Sequence, residues 1–76
     1  MIKEHDRVVL LKDVSEEGLK TGDVGTVVHI YRDGEAFEVE FMTLDGGTVA
    51  VVTLPASSVR SVGNRDLTHV RELSAA

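Results

Sequence analysis

Apolar and polar residues follow strand-like patterns in five short segments of the chain. The clearest is Ala36–Phe41, in which Phe37, Val39 and Phe41 alternate with two glutamates. Such alternation places one face of a strand in the core and the other in water. Four further runs, rich in valine, leucine and isoleucine, also predict strands: Arg7–Leu11, Val24–Tyr31, residues 48–54 and Val59–Val62.

Turn signals separate these segments. Asp33-Gly34 and Asp45-Gly46-Gly47 predict tight hairpin turns, because glycine adopts the positive φ that such turns need. Pro55 ends the fourth strand, since proline cannot donate to a ladder, and "ASS" after it predicts a single helical turn. Five short strands with one long early loop predict an all-β fold, a small five-stranded antiparallel barrel. A sandwich usually needs about seven strands and about 100 residues.

The chain has 76 residues, enough for one domain, which we place at residues 1–62. The tail, residues 63–76, follows another pattern. Leu67, Val70 and Leu73 recur at every third position, which predicts a short amphipathic helix with Asp66 as its cap. A helix this short is marginal alone, so a helical or extended tail would pack on its own barrel or on another chain.

The segment "GLKTGDVGTVVHIY", residues 18–31, could be either a phosphate-binding loop or a turn. A Walker-type loop places its lysine after the second glycine and continues into a helix. Here Lys20 precedes Gly22, and a predicted strand follows, so no helix N-terminus would face an anion. We interpret the segment as a turn, with positive φ at Gly18 and Gly22 and a close backbone approach at Gly25.

The same residues carry a family resemblance. The long loop, "GLKTGDVGTVVHIY", "DGEAFEVEF" and "VVTLPASSV" together resemble the DUF4926 family of small bacterial proteins, over roughly residues 6–62. The Gly-Asp-x-Gly-x-Val turn is more remotely similar to KOW-type barrels. The resemblance implies an SH3-like barrel. It implies no activity and no functional residue, and the tail from Gly63 onward lies beyond it.

Charge argues against a nucleic-acid ligand. The net charge is −5, and residues 13–47 hold nine acidic residues against two basic ones. Most nucleic-acid binders display a basic stripe, so a protein partner with a basic surface fits better. The chain has no cysteine and no apolar run long enough to span a bilayer, and it starts without an apolar signal segment. We therefore expect a cytoplasmic protein with no membrane contact.

No motif indicates catalysis. The three histidines lack metal-ligand spacing, and no serine lies in a nucleophile elbow. Glu38 and Glu40 are neighbours on one strand face, but nothing around them in the sequence predicts the burial that acid–base catalysis needs. We expect no enzyme activity, no metal and no cofactor.

Two functions compete. In the first, an acidic surface binds a basic protein, as an antitoxin, an immunity protein or an accessory subunit would, with peptide addition to an open barrel edge as a second route. In the second, the tail forms a homodimer through Leu67, Val70 and Leu73. Nucleic-acid binding rests on fold analogy alone. The acidic surface of the first function comprises Glu38 and Glu40, with Glu16 and Glu17 in the long loop. Tyr31 with Arg32 is a further candidate ligand contact at a hairpin edge, of the kind that RNA or single-stranded DNA would use.

Overall fold

The computed structural model describes residues 1–73. Within them, five antiparallel strands form one sheet in the order β4-β3-β2-β1-β5. The strands are β1 Arg7–Leu10, β2 Val24–Tyr31, β3 Ala36–Met42, β4 Thr48–Pro55 and β5 Val59–Ser61, with 3-10 turns at Ser15–Glu17, Arg32–Gly34 and Ala56–Ser58. This confirms the predicted all-β, five-stranded, barrel-like fold.

The strand bounds differ from the prediction by one residue in four strands. β1 ends at Leu10, because Leu11 turns outward and donates its N–H to the Ser58 carbonyl at 2.7 Å. β5 ends at Ser61 rather than Val62, whereas β3 and β4 each extend by one residue, to Met42 and Pro55. The single helical turn predicted at "ASS" is present.

The β2–β3 hairpin turns at Asp33-Gly34, between the predicted strand ends Tyr31 and Ala36. Tyr31 pairs with Ala36, so four residues connect the strands. Arg32, Asp33 and Gly34 all have positive φ, at 47°, 57° and 98°. The Glu35 N–H closes the turn on the Tyr31 carbonyl at 3.1 Å. The turn therefore lies between the two strand ends that the sequence predicted.

The core lies on the inner face of the sheet. The alternation in β3 holds, because Phe37, Val39 and Phe41 are buried. Leu19 reaches the same core from the long loop between β1 and β2. The complete buried apolar set is Val8, Leu10, Leu19, Val27, Phe37, Val39, Phe41, Ala50, Leu54 and Val59. Every core residue therefore lies within residues 8–59.

The described part of the tail, residues 63–73, forms no helix, and residues 74–76 of the predicted segment lie outside the described residues. Residues 63–66 form a turn, and residues 66–73 have no regular secondary structure. The Asp66 carboxylate, proposed as a helix cap, accepts the Gly63 N–H at 2.6 Å and both guanidinium nitrogens of Arg60 at 2.9 Å. These bonds hold residues 63–66 in a turn.

Candidate functional site

Glu38 and Glu40 lie on the outer face of β3. In the sheet register, Glu38 is opposite His29 of β2 and Thr53 of β4. Glu40 is opposite Thr26 and Val51 in the same two strands. Both glutamates are partly buried by these neighbours, whereas the sequence pattern had predicted a fully wet face.

Each of these carboxylates is held by a hydroxyl group. The Tyr31 hydroxyl donates to Glu38 Oε1 at 2.7 Å, and the Thr48 hydroxyl donates to Glu40 Oε2 at 2.6 Å. The bond to Glu38 raises the pKa of the Tyr31 phenol, because losing the proton would place two negative charges together. We call Tyr31, Glu38 and Glu40 the acidic face.

The Tyr31 ring is itself oriented by a neighbour. His29 packs edge-to-face against it, with ring centroids 4.5 Å apart and an interplanar angle of 76°. His29 Nδ1 lies 3.9 Å from Glu4 Oε2. His29 and Tyr31, two positions apart, share one side of β2. A bulge between Val27 and His29 shifts the register, so that His29 lies opposite Glu38 of β3. The His29 side chain is exposed on the outer surface of the sheet.

No cation of residues 1–73 neutralises the acidic face. The ion pairs among these residues join His29 to Glu4, Arg60 to Asp66 and Arg71 to Asp23. Glu38 and Glu40 take part in none of them. Their carboxylates accept hydrogen bonds from neutral donors, and no ion pair within residues 1–73 offsets their negative charges.

The other predicted binding residues lie elsewhere. Glu16 and Glu17 are exposed in the 3-10 turn of the long loop, where Glu17 lines a groove with Val49. Within residues 1–73 neither contacts the acidic face through a hydrogen bond or an ion pair. Arg32 follows Tyr31 in the hairpin turn, and its side chain is exposed. Of the six candidate binding residues, the structure therefore brings together Tyr31, Glu38 and Glu40.

The glycine segment serves as an attachment point for the tail, a role that the sequence reasoning missed. Arg71 donates from Nε to Asp23 Oδ1 at 2.8 Å and from a terminal nitrogen to Oδ2 at 2.7 Å. It also donates to the Gly18 carbonyl at 3.0 Å. This contact lowers the pKa of Asp23, chiefly through the hydrogen bonds from the guanidinium. The partners are 48 positions apart, so no local pattern could have indicated them.

The loop backbone also agrees with the interpretation as a turn. Gly18 and Gly22 have positive φ, at 72° and 96°, and β2 follows where a phosphate loop would have a helix. The Thr21 N–H donates to Asp13 at 2.8 Å, and the Lys20 N–H donates to Asp23 at 2.9 Å. These amides thus bind carboxylates of the protein itself.

The apolar tail residues point into solvent. Leu67 is 95% exposed and Val70 is 76% exposed, while Leu73 lies nearer the barrel at 39%. Because Arg71 between them binds Asp23, this part of the tail lies against its own barrel. Dimerisation through these three residues stays a prediction.

Two grooves lie on the surface of the described residues. A groove of about 310 Å³ lies beside Gly25, between Arg7 and the β3–β4 turn, with Met42 and Leu44 on its wall. A second, of about 510 Å³, lies between the long loop and residues 71–73. In residues 1–73 no three histidine or carboxylate side chains are grouped as metal ligands, and none of the helical segments could cross a membrane.

A family model for a domain of unknown function, DUF4926, matches residues 4–61, which is more than half of the chain. The chain belongs to the DUF4926 family. The DUF4926 region covers all five strands and every core residue, and it ends where β5 ends. Searches of curated proteins and of solved structures gave no match.

Proposed function

We propose that the protein is a non-enzymatic interaction module whose acidic face binds a basic segment of a protein partner. The observation that carries this proposal is the pair of ordered carboxylates without a cation, Glu38 and Glu40 on one strand face. An antitoxin, an immunity protein and an accessory subunit would each use such a face.

The fixed positions of the Glu38 and Glu40 carboxylates favour binding of a basic side chain. A side chain that is fixed on complex formation costs about 0.5–1.5 kcal/mol in lost rotamer freedom. Hydrogen bonds from Tyr31 and Thr48 already restrict Glu38 and Glu40 in the free protein. A lysine or arginine of the partner therefore meets acceptors in position. The net charge of −5 adds a long-range attraction that accelerates encounter with a basic surface.

Paired charge reversals test this proposal. The full chain is immobilised, a lysate of its native host is passed over it, and proteins retained in stoichiometric amount are identified. The test variant is Glu38→Lys/Glu40→Lys. The matched control is Glu16→Lys/Glu17→Lys, which makes the same change in net charge, from −5 to −1, on the long loop.

We expect one basic partner that the native chain and the loop variant retain and that the face variant loses. Its capture by the native chain should weaken as salt is raised, because exposed charges are screened within about 10 Å at 0.1 M salt. Equal capture by both variants would refute the acidic face as the site. Equal loss from both would assign binding to net charge instead of to Glu38 and Glu40.

A further inference from the structure

The two edges of the sheet differ in their protection. β5, at one edge, has three residues and includes Arg60, and both a short strand and a charge discourage pairing with another chain. β4, at the other edge, has eight residues and spans about 27 Å at about 3.4 Å per residue. Its one protective residue is Pro55, at its last position.

The backbone of β4 has a partner on one side. β3 pairs with it from Ala36↔Pro55 to Met42↔Thr48. Among the described residues, no backbone hydrogen bond joins Thr48–Pro55 to any other element. Glu17 and Leu73 flank the strand near Val49, so the open part of the edge is residues 50–54.

β4 also lies in an uncharged part of the chain. Residues 46–59 contain no charged side chain, although the rest of the chain carries a net charge of −5. The outward side chains at the centre of β4 are Val51, which is 47% exposed, and Thr53. Both are β-branched, as is typical of paired strands.

We propose that the free edge of β4 pairs antiparallel with β4 of a second copy, around a two-fold axis at Val51. A two-fold axis perpendicular to the sheet puts the inner faces of the two copies on the same side. Two residues that lie opposite each other must then have their side chains on the same face, so their residue numbers are both odd or both even, and the sum is even. Centring on the exposed Val51 pairs it with itself and pairs Ala50 with Val52 of the other copy.

A second copy suits this edge better than a basic peptide does. β4 itself carries no carboxylate to select a cation. The nearest strand carboxylates, Glu38 and Glu40, belong to the acidic face of β3, so a basic partner would be drawn to that face and not to the β4 backbone. A second copy brings the same uncharged, β-branched strand, and its acidic residues stay outside the pairing. β-branched side chains in opposed positions stabilise a strand pair. This inference is independent of the proposed function.

Sedimentation velocity of the full native chain tests the proposal. One strand pair buries little area, so we expect a weak dimer with a Kd of about 10–100 μM. Between about 5 μM and 1 mM the average mass should rise from 8.2 kDa toward twice that value. Amide exchange in residues 50–54 should slow over the same concentration range, and far-UV circular dichroism checks that each variant below is folded.

Opposite charges at Val51 provide the sharper test. Val51→Lys and Val51→Glu each place like charges about 5 Å apart across the axis, so each variant alone should dimerise at least tenfold more weakly. An equimolar mixture of the two should recover the dimer, because lysine then faces glutamate. Val28→Lys and Val28→Glu are the matched controls, since Val28 is 39% exposed on β2, away from this edge. They should dimerise as the native chain does.

Several results would overturn the proposal. A native chain that stays monomeric at 1 mM would do so, as would a dimer that both Val51 variants retain. A dimer that the Val28 variants lose to the same extent would point to another surface. A dimer that the mixture fails to recover would exclude a two-fold axis at Val51. Capture of a foreign extended peptide by a monomeric chain would assign the edge to that peptide.

Discussion

Gly25 is the position where one added methyl group should damage the fold most. It lies in β2, under the side chains of the neighbouring strand β3. A Cβ built on Gly25 would lie 2.5 Å from Val39 Cγ1, 2.9 Å from Phe41 Cε2 and 3.0 Å from the Glu40 carbonyl oxygen. Carbon atoms in contact prefer about 3.5–4.0 Å, so the closest approach is too short by about 1 Å.

The neighbours of Gly25 have little room to move. Val39 and Phe41 are buried in the core, and the Glu40 carbonyl belongs to the β3 backbone. Overpacking of this kind costs about 1–3 kcal/mol, and the entropy that alanine removes from the unfolded chain offsets about 0.4–1 kcal/mol where the backbone is compatible. A 76-residue chain has a free energy of unfolding of only about 4–11 kcal/mol. We expect Gly25→Ala to lower the free energy of unfolding by about 1–2 kcal/mol.

Urea unfolding followed by far-UV circular dichroism measures this change, at one fixed low protein concentration. Gly63→Ala is the control, because its Cβ would lie at an ordinary 3.6 Å from Asp66 Oδ2. The control should stay within about 0.5 kcal/mol of the native chain. The packing argument fails if Gly25→Ala also stays within that margin, or if both variants lose the same stability.

Three titrations test the polar contacts. The Arg71 guanidinium lowers the pKa of Asp23 in the native state. The contact between them therefore stabilises the fold fully at pH values above the usual aspartate pKa, and this stabilisation is lost as the pH falls through the lowered pKa of Asp23. The stability gap between the native chain and Asp23→Asn, measured by urea unfolding, should therefore close on acidification. Tyr31 is the only tyrosine, so its ultraviolet titration is specific, and Glu38→Gln should lower its raised pKa toward 10. The Arg60 guanidinium, which binds the Asp66 carboxylate, should bring the pKa of that carboxyl to about 2, as measured by NMR.

The strands could be predicted because their residues repeat with the period of a strand. In β3 the alternation of Phe37, Val39 and Phe41 with glutamates is strict, and the structure buries these three side chains. The glycines of the long loop were predictable for a related reason, since few other residues adopt a φ of 72° or 96°. Such local constraints are visible in a single sequence.

The acidic face was predictable only in part. Two glutamates two positions apart on a strand must share a face, and that much follows from the sequence. The bond from Tyr31 to Glu38 depends on the register of β2 against β3, which a bulge between Val27 and His29 shifts. No residue type in β2 indicates that bulge, so the hydrogen bond from the Tyr31 hydroxyl to Glu38 could not be predicted from the sequence.

The tail illustrates why apolar periodicity misleads at the end of a small domain. Leu67 and Val70 have the spacing of a helix face, but the buried core consists of residues within 8–59, and neither side chain joins it. A marginal helix without packing does not form. The guanidinium of Arg71, with Asp23 and the Gly18 carbonyl as acceptors, instead determines where the tail lies. The position of the tail therefore depends on a polar contact to the glycine loop, outside the apolar pattern from which its fold was inferred.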